Sequence, residues 1–364
     1  MWAALLLFAG QAERGPLMQS LQGTYPGALL DADKVAVSGW LEGSFTASSA
    51  RRDHSPMGFN YRANEALLHQ AWLRIDKPVD DDARDPTLGF RSDLFAGSDY
   101  RYTVARGLFD GQGLQGVDPV QFYGEARFPG VLQGLEVKVG RFFAPYGAES
   151  IDTNANPFVS RSYSFIYNPF THTGALATLE FTDAWTAEAG LVAGSDVFLD
   201  PASRPTFIGG LEWKRGPDTV QFSAILGPGR FDRREAFNNP QMLDLVWIRK
   251  LDARLTATLE AVWQFQSGVP GLGTVHSVGV VGYLSYQATP RLTANARLEF
   301  YDDFQGQRTG SKGLYAALTL GVAWKPTPWV LVRPEVRYDR NGESRPFEGR
   351  PGLLTAALDA VIRF

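Results

Sequence analysis

The 364-residue sequence has no cysteine and only 4 methionines and 4 histidines. Without thiols there is neither a disulfide framework nor a thiolate metal site. The histidines, His54, His69, His172 and His276, lie far apart in sequence, and none has metal-ligand spacing. Hydrophobic residues make up 44 % of the chain, yet no apolar run approaches the roughly 20 residues of a membrane-spanning helix. Basic blocks are missing too. The 35 Lys and Arg and 39 Asp and Glu are scattered, giving a net charge of −4, which argues against a nucleic-acid partner.

What the sequence has in quantity is glycine, with 38 residues, and aromatic rings, with 24 Phe, 13 Tyr and 9 Trp. This suits many turns and interface-seeking rings better than helices packed around a core. Residues 1–12 form an apolar stretch ending in small residues at Ala12, the pattern of a secretory signal without its basic n-region. Residues 13–33 do not alternate, and Pro16, Gly23, Pro26 and Gly27 mark them as a periplasmic tether or a short plug.

From Lys34 onward one unit recurs: about ten to thirteen residues of alternating apolar and polar character, then a turn rich in Gly, Pro, Asp or Asn. Near the C-terminus Leu354, Ala356, Leu358, Ala360, Ile362 and Phe364 oppose Thr355, Ala357, Asp359, Val361 and Arg363. Val330, Val332, Pro334, Val336 and Tyr338 oppose Leu331, Arg333, Glu335, Arg337 and Asp339, and Leu292 to Phe300 oppose Thr293, Asn295, Arg297, Glu299 and Tyr301. Soluble sandwiches alternate in the same way. These strands, however, have the roughly 9 to 11 residues needed to cross a tilted bilayer. Trp185, Trp213, Trp263, Trp324 and Trp329 fall at strand ends, where indole rings meet lipid headgroups.

The expected fold is therefore all-β: a transmembrane, antiparallel up-and-down β-barrel of about sixteen strands over residues 34–364. The turns at 182–184, 215–218, 289–290 and 326–328 are short, and the connections 48–66, 98–118, 145–169, 228–240 and 340–351 are long. Tight periplasmic turns opposite long extracellular loops would put both termini in the periplasm. Phe364 ends the last strand on its outward face, resembling the signal read by the outer-membrane assembly machinery.

The segments Val37–Phe45, Leu88–Asp99, Val139–Gly147, Ser160–Tyr163 and Pro169–Gly174 resemble the β-barrel porin family described as OmpL-like. The likeness is close in the N-terminal half and is one of strand pattern in the C-terminal half. It implies an outer-membrane porin, and it supports the fold more strongly than any substrate.

A barrel of this size encloses a lumen too wide for side chains to fill. Arg91, Asp93, Arg297, Glu299, Arg333, Glu335 and Arg337 are expected on the lumen wall, hydrated and forming a mixed-sign field or a merely soluble lining. The third long connection, 145–169, is expected to fold inward and narrow the pore, bringing Glu149, Asp152 and Arg161 toward the wall arginines. In the alternative, Tyr163, Phe165, Tyr167 and Phe170 pack it against the rim or a neighbouring protomer. No catalytic constellation or cofactor is read from the sequence. His172 is expected to make a structural hydrogen bond at the loop base, and no Ser/His pair for a lipid-cleaving barrel is identified. The turn containing Asp80, Asp81, Asp82 and Asp85 reads as solvated rather than calcium-binding. The expected partners are outer-membrane lipid, small hydrophilic solutes and further copies of the chain. The competing reading is a plugged structural or adhesive barrel whose loops bind a surface partner.

Overall fold

A computed structural model of the chain describes residues 14–111, 113–200, 204–228 and 240–364. The stretch 1–12, read as the end of a secretory signal, lies outside the described residues. The strands are β1 (Ala36–Ser48), β2 (Ala66–Lys77), β3 (Thr87–Gly97), β4 (Gly116–Phe128), β5 (Gly134–Phe143) and β6 (Thr171–Thr182). They continue with β7 (Trp185–Val192), β8 (Thr206–Arg215), β9 (Asp218–Leu226), β10 (Gln241–Lys250) and β11 (Leu255–Val269). The last are β12 (Gly273–Thr289), β13 (Leu292–Asp303), β14 (Gly313–Thr327), β15 (Val330–Asn341) and β16 (Gly352–Arg363). Each strand pairs antiparallel with its sequence neighbours, and β1 closes on β16 from Trp40↔Arg363 to Ser48↔Thr355. The sixteen-strand barrel expected from period two is the fold.

The pleat sorts the side chains. On β15, Leu331, Arg333, Glu335, Arg337 and Asp339 are buried inside, while Val336 and Tyr338 point out. Outward leucines such as Leu318, Leu320, Leu354 and Leu358 each remain about half exposed, and together they form an apolar belt. Outward apolar side chains on strand after strand are what lipid, rather than water, accommodates. The inside is charged and the outside oily, the reverse of a soluble domain.

The connections sort by rim. Residues 129–133, 183–184, 216–217, 251–254, 290–291 and 328–329 turn tightly at one rim, where the chain also ends. At the other rim lie the described connections 49–65, 98–111, 113–115, 144–170, 193–200, 304–312 and 342–351. The alternation of short and long is not strict: the β2–β3 connection 78–86, at the rim of tight turns, is as long as 304–312 opposite it, and β11 and β12 extend beyond their neighbours and join through 270–272. Residues 14–33 fold as two short helices, α1 (Pro16–Ser20) and α2 (Tyr25–Ala32), largely exposed, with α1 against β1. Lys34 pins this segment to the β2–β3 turn by an ion pair to Asp80 at 2.7 Å. The hydrogen bond from Lys34 holds the exposed Asp80 carboxyl below the usual carboxylate range.

Candidate functional site

Between β5 and β6 the chain turns into the barrel. Pro145, Pro157 and Pro169 deny this stretch a strand partner, and polar caps fold it instead. Asp152 accepts from Asn154 N at 3.0 Å to start a short 3₁₀ turn, and the Ser162 hydroxyl accepts from Phe165 N at 3.1 Å to start a single helical turn, α3 (Tyr163–Ile166). Two wall glycines let the loop approach. A Cβ on Gly279 would meet the Ser164 hydroxyl at 2.2 Å, and one on Gly321 would stand 3.1 Å from the Phe158 ring.

The loop is held by a lattice of charge-assisted hydrogen bonds. Arg297 donates to Glu149 at 2.8 Å and to Ser160 O at 2.9 Å. Glu149 also accepts from the Ser162 amide at 2.7 Å and its hydroxyl at 2.8 Å. Arg333 joins Asp359 and Glu42, each at 3.1 Å, to the carbonyls of Thr153 and Asn156, both at 2.8 Å. Glu335 accepts from Val159 N at 2.9 Å, and Glu299 accepts from Tyr163 N at 2.7 Å. Arg337 bridges Glu299 at 2.9 Å and Asp339 at 2.7 Å, and also donates to the Arg161 carbonyl. Farther along the loop, Asp152 accepts from Arg74 on β2 at 3.1 Å, and Asn154 accepts from Arg363 at 2.7 Å. Because Arg363 is the last residue of β16, the loop reaches down to the rim of tight turns.

Of the residues singled out from sequence, Glu149 meets Arg297, Glu299 meets Arg337, and Arg91 meets Asp93 at 2.8 Å. Arg161 turns back on its own loop, donating to Phe158 O at 2.8 Å and Val159 O at 2.9 Å beneath the Phe59 ring. One expectation needs correction. Arg297, Glu299, Arg333, Glu335 and Arg337 are not hydrated on an open wall; all are buried beneath the loop, which supplies the partners that water would have supplied, and Asp93 is likewise buried, held by Arg74, Arg91 and Gln121. Arg74, Glu42 and Asp359 were missed, although each sits at an inward position of an alternating strand. A stack of Trp40, Trp72 and Phe95, with rings 4.6 and 4.9 Å apart, also points inward, unlike the interface-seeking tryptophans of the strand ends.

Opposite this packed side a cavity of about 630 Å³ remains along β3 to β8. It runs from Gln133, Asp183 and Ala184 at the tight-turn rim to Phe143, Ala144 and Pro145 at the loop root. Its charged lining is Glu136, Glu180, Asp183, Glu188 and Glu212 against Arg91, Lys138 and Lys214, with Gln121, Thr178 and Thr186 between. Of the charges expected along the pore, Arg91 alone lines this cavity.

His172 sits at the loop base, bonded through Nδ1 to Gly194 O at 2.9 Å and through Nε2 to the Tyr146 hydroxyl at 3.0 Å. The structure does contain a Ser/His pair that the sequence did not reveal. Ser44 Oγ lies 2.7 Å from His69 Nε2, and His69 Nδ1 lies 2.8 Å from Asp99. The series has the order of a nucleophile, base and orienting acid. It faces inward and all three members are buried, so it braces β1 to β2 and the 98–115 connection rather than presenting a nucleophile to lipid. Among the described residues there is no group of three or more His, Asp or Glu that could hold a metal ion.

Several solved structures share this architecture. OprB of Pseudomonas putida aligns with a TM-score of 0.61 at 13 % identity, covering 93 % of this chain and 96 % of that one. The outer membrane channel DcaP of Acinetobacter baumannii aligns at 0.59 and 10 % identity, covering 91 % and 97 %. An anion-selective porin from Comamonas acidovorans gives 0.59 and 10 %, covering 91 % and 99 %. At these identities the likeness is one of fold. No curated protein matches the sequence. The family model described as "Putative beta-barrel porin-2, OmpL-like" matches residues 34–364, the whole barrel, and the chain belongs to that family.

Proposed function

We propose that the protein is a passive diffusion channel for small hydrophilic solutes in the bacterial outer membrane, with an off-centre passage along the inner face of β3 to β8. The observation that carries this reading is the division of the lumen into two halves. Loop 144–170 is held by ion pairs to β13 and β2 and by charge-assisted hydrogen bonds to β11, β15 and β1, while a polar cavity of about 630 Å³ stays open on the other side. In this reading Glu149, Asp152 and Arg161 form the constriction as parts of its fixed wall, with Glu149 and Asp152 paired to Arg297 and Arg74 and Arg161 bonded to loop carbonyls. Arg91, Lys138, Glu188 and Glu212 are the groups that solutes meet. Because carboxylates outnumber cations in that lining, small cations are favoured.

The purified protein in planar bilayers should give stepwise conductance, and deleting 148–166 should raise the step size severalfold. A bilayer that stays sealed at every voltage with the intact protein, and opens only after the deletion, would favour the plugged structural barrel. That second reading draws on the same dense anchoring of the loop.

A further inference from the structure

Where β9, β10 and β11 pass the loop root, the wall holds a group of buried oxygen atoms with too few donors. Asp244 on β10 and Glu260 on β11 face inward, each 1 % exposed, with their carboxyl groups in hydrogen-bond reach of one another. Apart from the Gly147 backbone N–H beside Asp244, the oxygens of Asp244 and Oε1 of Glu260 have no well-aligned donor; Oε2 of Glu260 accepts from Ala148 N at 3.2 Å. Ser223 lies opposite Asp244 in the β9–β10 register, buried, with its Oγ unpartnered. Gln221, two residues back on β9, donates its amide N–H to Pro145 O at 2.8 Å, which leaves its buried Oε1 unpartnered. Among the described residues neither carboxylate is within ion-pair distance of a Lys, Arg or His.

Two carboxylates brought together out of water require positive charge between them. A single shared proton would satisfy that contact and leave the remaining oxygens orphaned. A hard divalent cation takes about six to eight oxygen ligands, and mixes carboxylate, amide and hydroxyl oxygens with water. There is room beside the group: a Cβ placed on Gly147 would find Glu260 Oε1 at 3.5 Å and no other neighbour within 4 Å. We propose that Asp244, Glu260, Gln221 and Ser223 form a binding site for a divalent cation of the calcium class. The site ties the β9–β11 wall to the root of the inward loop, independently of what the channel conducts.

The full chain in detergent micelles, stripped with EDTA, is titrated with CaCl₂ while uptake is followed by calorimetry and Tm by circular dichroism. Wild type should take up one equivalent and melt higher with calcium, since a ligand of the folded state stabilises it. Asp244→Asn and Glu260→Gln keep side-chain shape and supply a donor, so they should migrate as folded barrels yet lose both responses. Gln221→Leu, outside the acid pair, keeps the test open if either amide variant fails to fold; it should weaken calcium binding at least about tenfold. Wild type without uptake or Tm shift would point to a shared proton and overturn the site. Uptake that persists unchanged in the variants would assign the calcium to the surface or the detergent and overturn it equally.

Discussion

Arg333 shows how single residues are used in this protein. Its guanidinium is fully buried, yet it satisfies Glu42, Asp359 and two loop carbonyls, which is what a forked donor can do and an ammonium cannot. Removing it leaves two carboxylates buried without compensation, a loss of about 3–5 kcal/mol in a dry interior. Arg333→Ala should therefore lower the denaturant midpoint clearly, with Arg333→Lys recovering only part. An unchanged midpoint for the alanine variant would show that the lattice does not hold the loop. Period two was enough to place Arg333 and Asp359 on the inner face, but not to bring the distant partners of Arg333 to it. Glu42 lies 291 positions away, and Thr153 and Asn156 meet it only after the loop has folded inward. The buried series Ser44, His69 and Asp99 was hidden for the same reason, since its members come from two strands and a loop.

At the scale of elements, strands were far easier to read than loops. A strand's alternation is local, because each side chain is sorted by lipid or lumen at its own position, so sixteen strands were legible to within a few residues. The path of 144–170 depends on distant arginines and on room left by Gly279 and Gly321. Its inward turn could be expected from length and composition, but the burial of the wall charges could not. The closing seam adds a pH-sensitive element at the long-loop rim. The exposed Glu348 carboxylate, in the β15–β16 connection, accepts from Arg51 N at 2.9 Å and Arg52 N at 2.7 Å, and these bonds hold it below its ordinary value. A depressed carboxylate stabilises the folded contact above its unfolded value, about 4.3, and that contribution disappears as pH falls through the lowered one. Amide-exchange protection at Arg51 and Arg52, relative to intrinsic rates, should thus drop in acid, and Glu348→Gln should remove the dependence. Protection that stays constant from neutral pH into strong acid would contradict this role.

The whole molecule is a wide barrel with a loop fastened along its inner wall from β11 round to β2. Strand number alone suggested a broad wet hole; the structure replaces it with one packed side and one open strip. The ion pairs on the packed side are cut off from solution, so in the proposed channel solutes would meet the less conspicuous Glu136, Lys138, Glu188 and Glu212. Because the sequence has no cysteine, single cysteines can report on each side without background. In planar bilayers, a charged methanethiosulfonate reagent should reduce the current through Thr178→Cys and Glu212→Cys and leave Thr319→Cys, buried beneath the loop, unaffected. Block at position 319 with no effect at 178 or 212 would contradict a passage along β3 to β8.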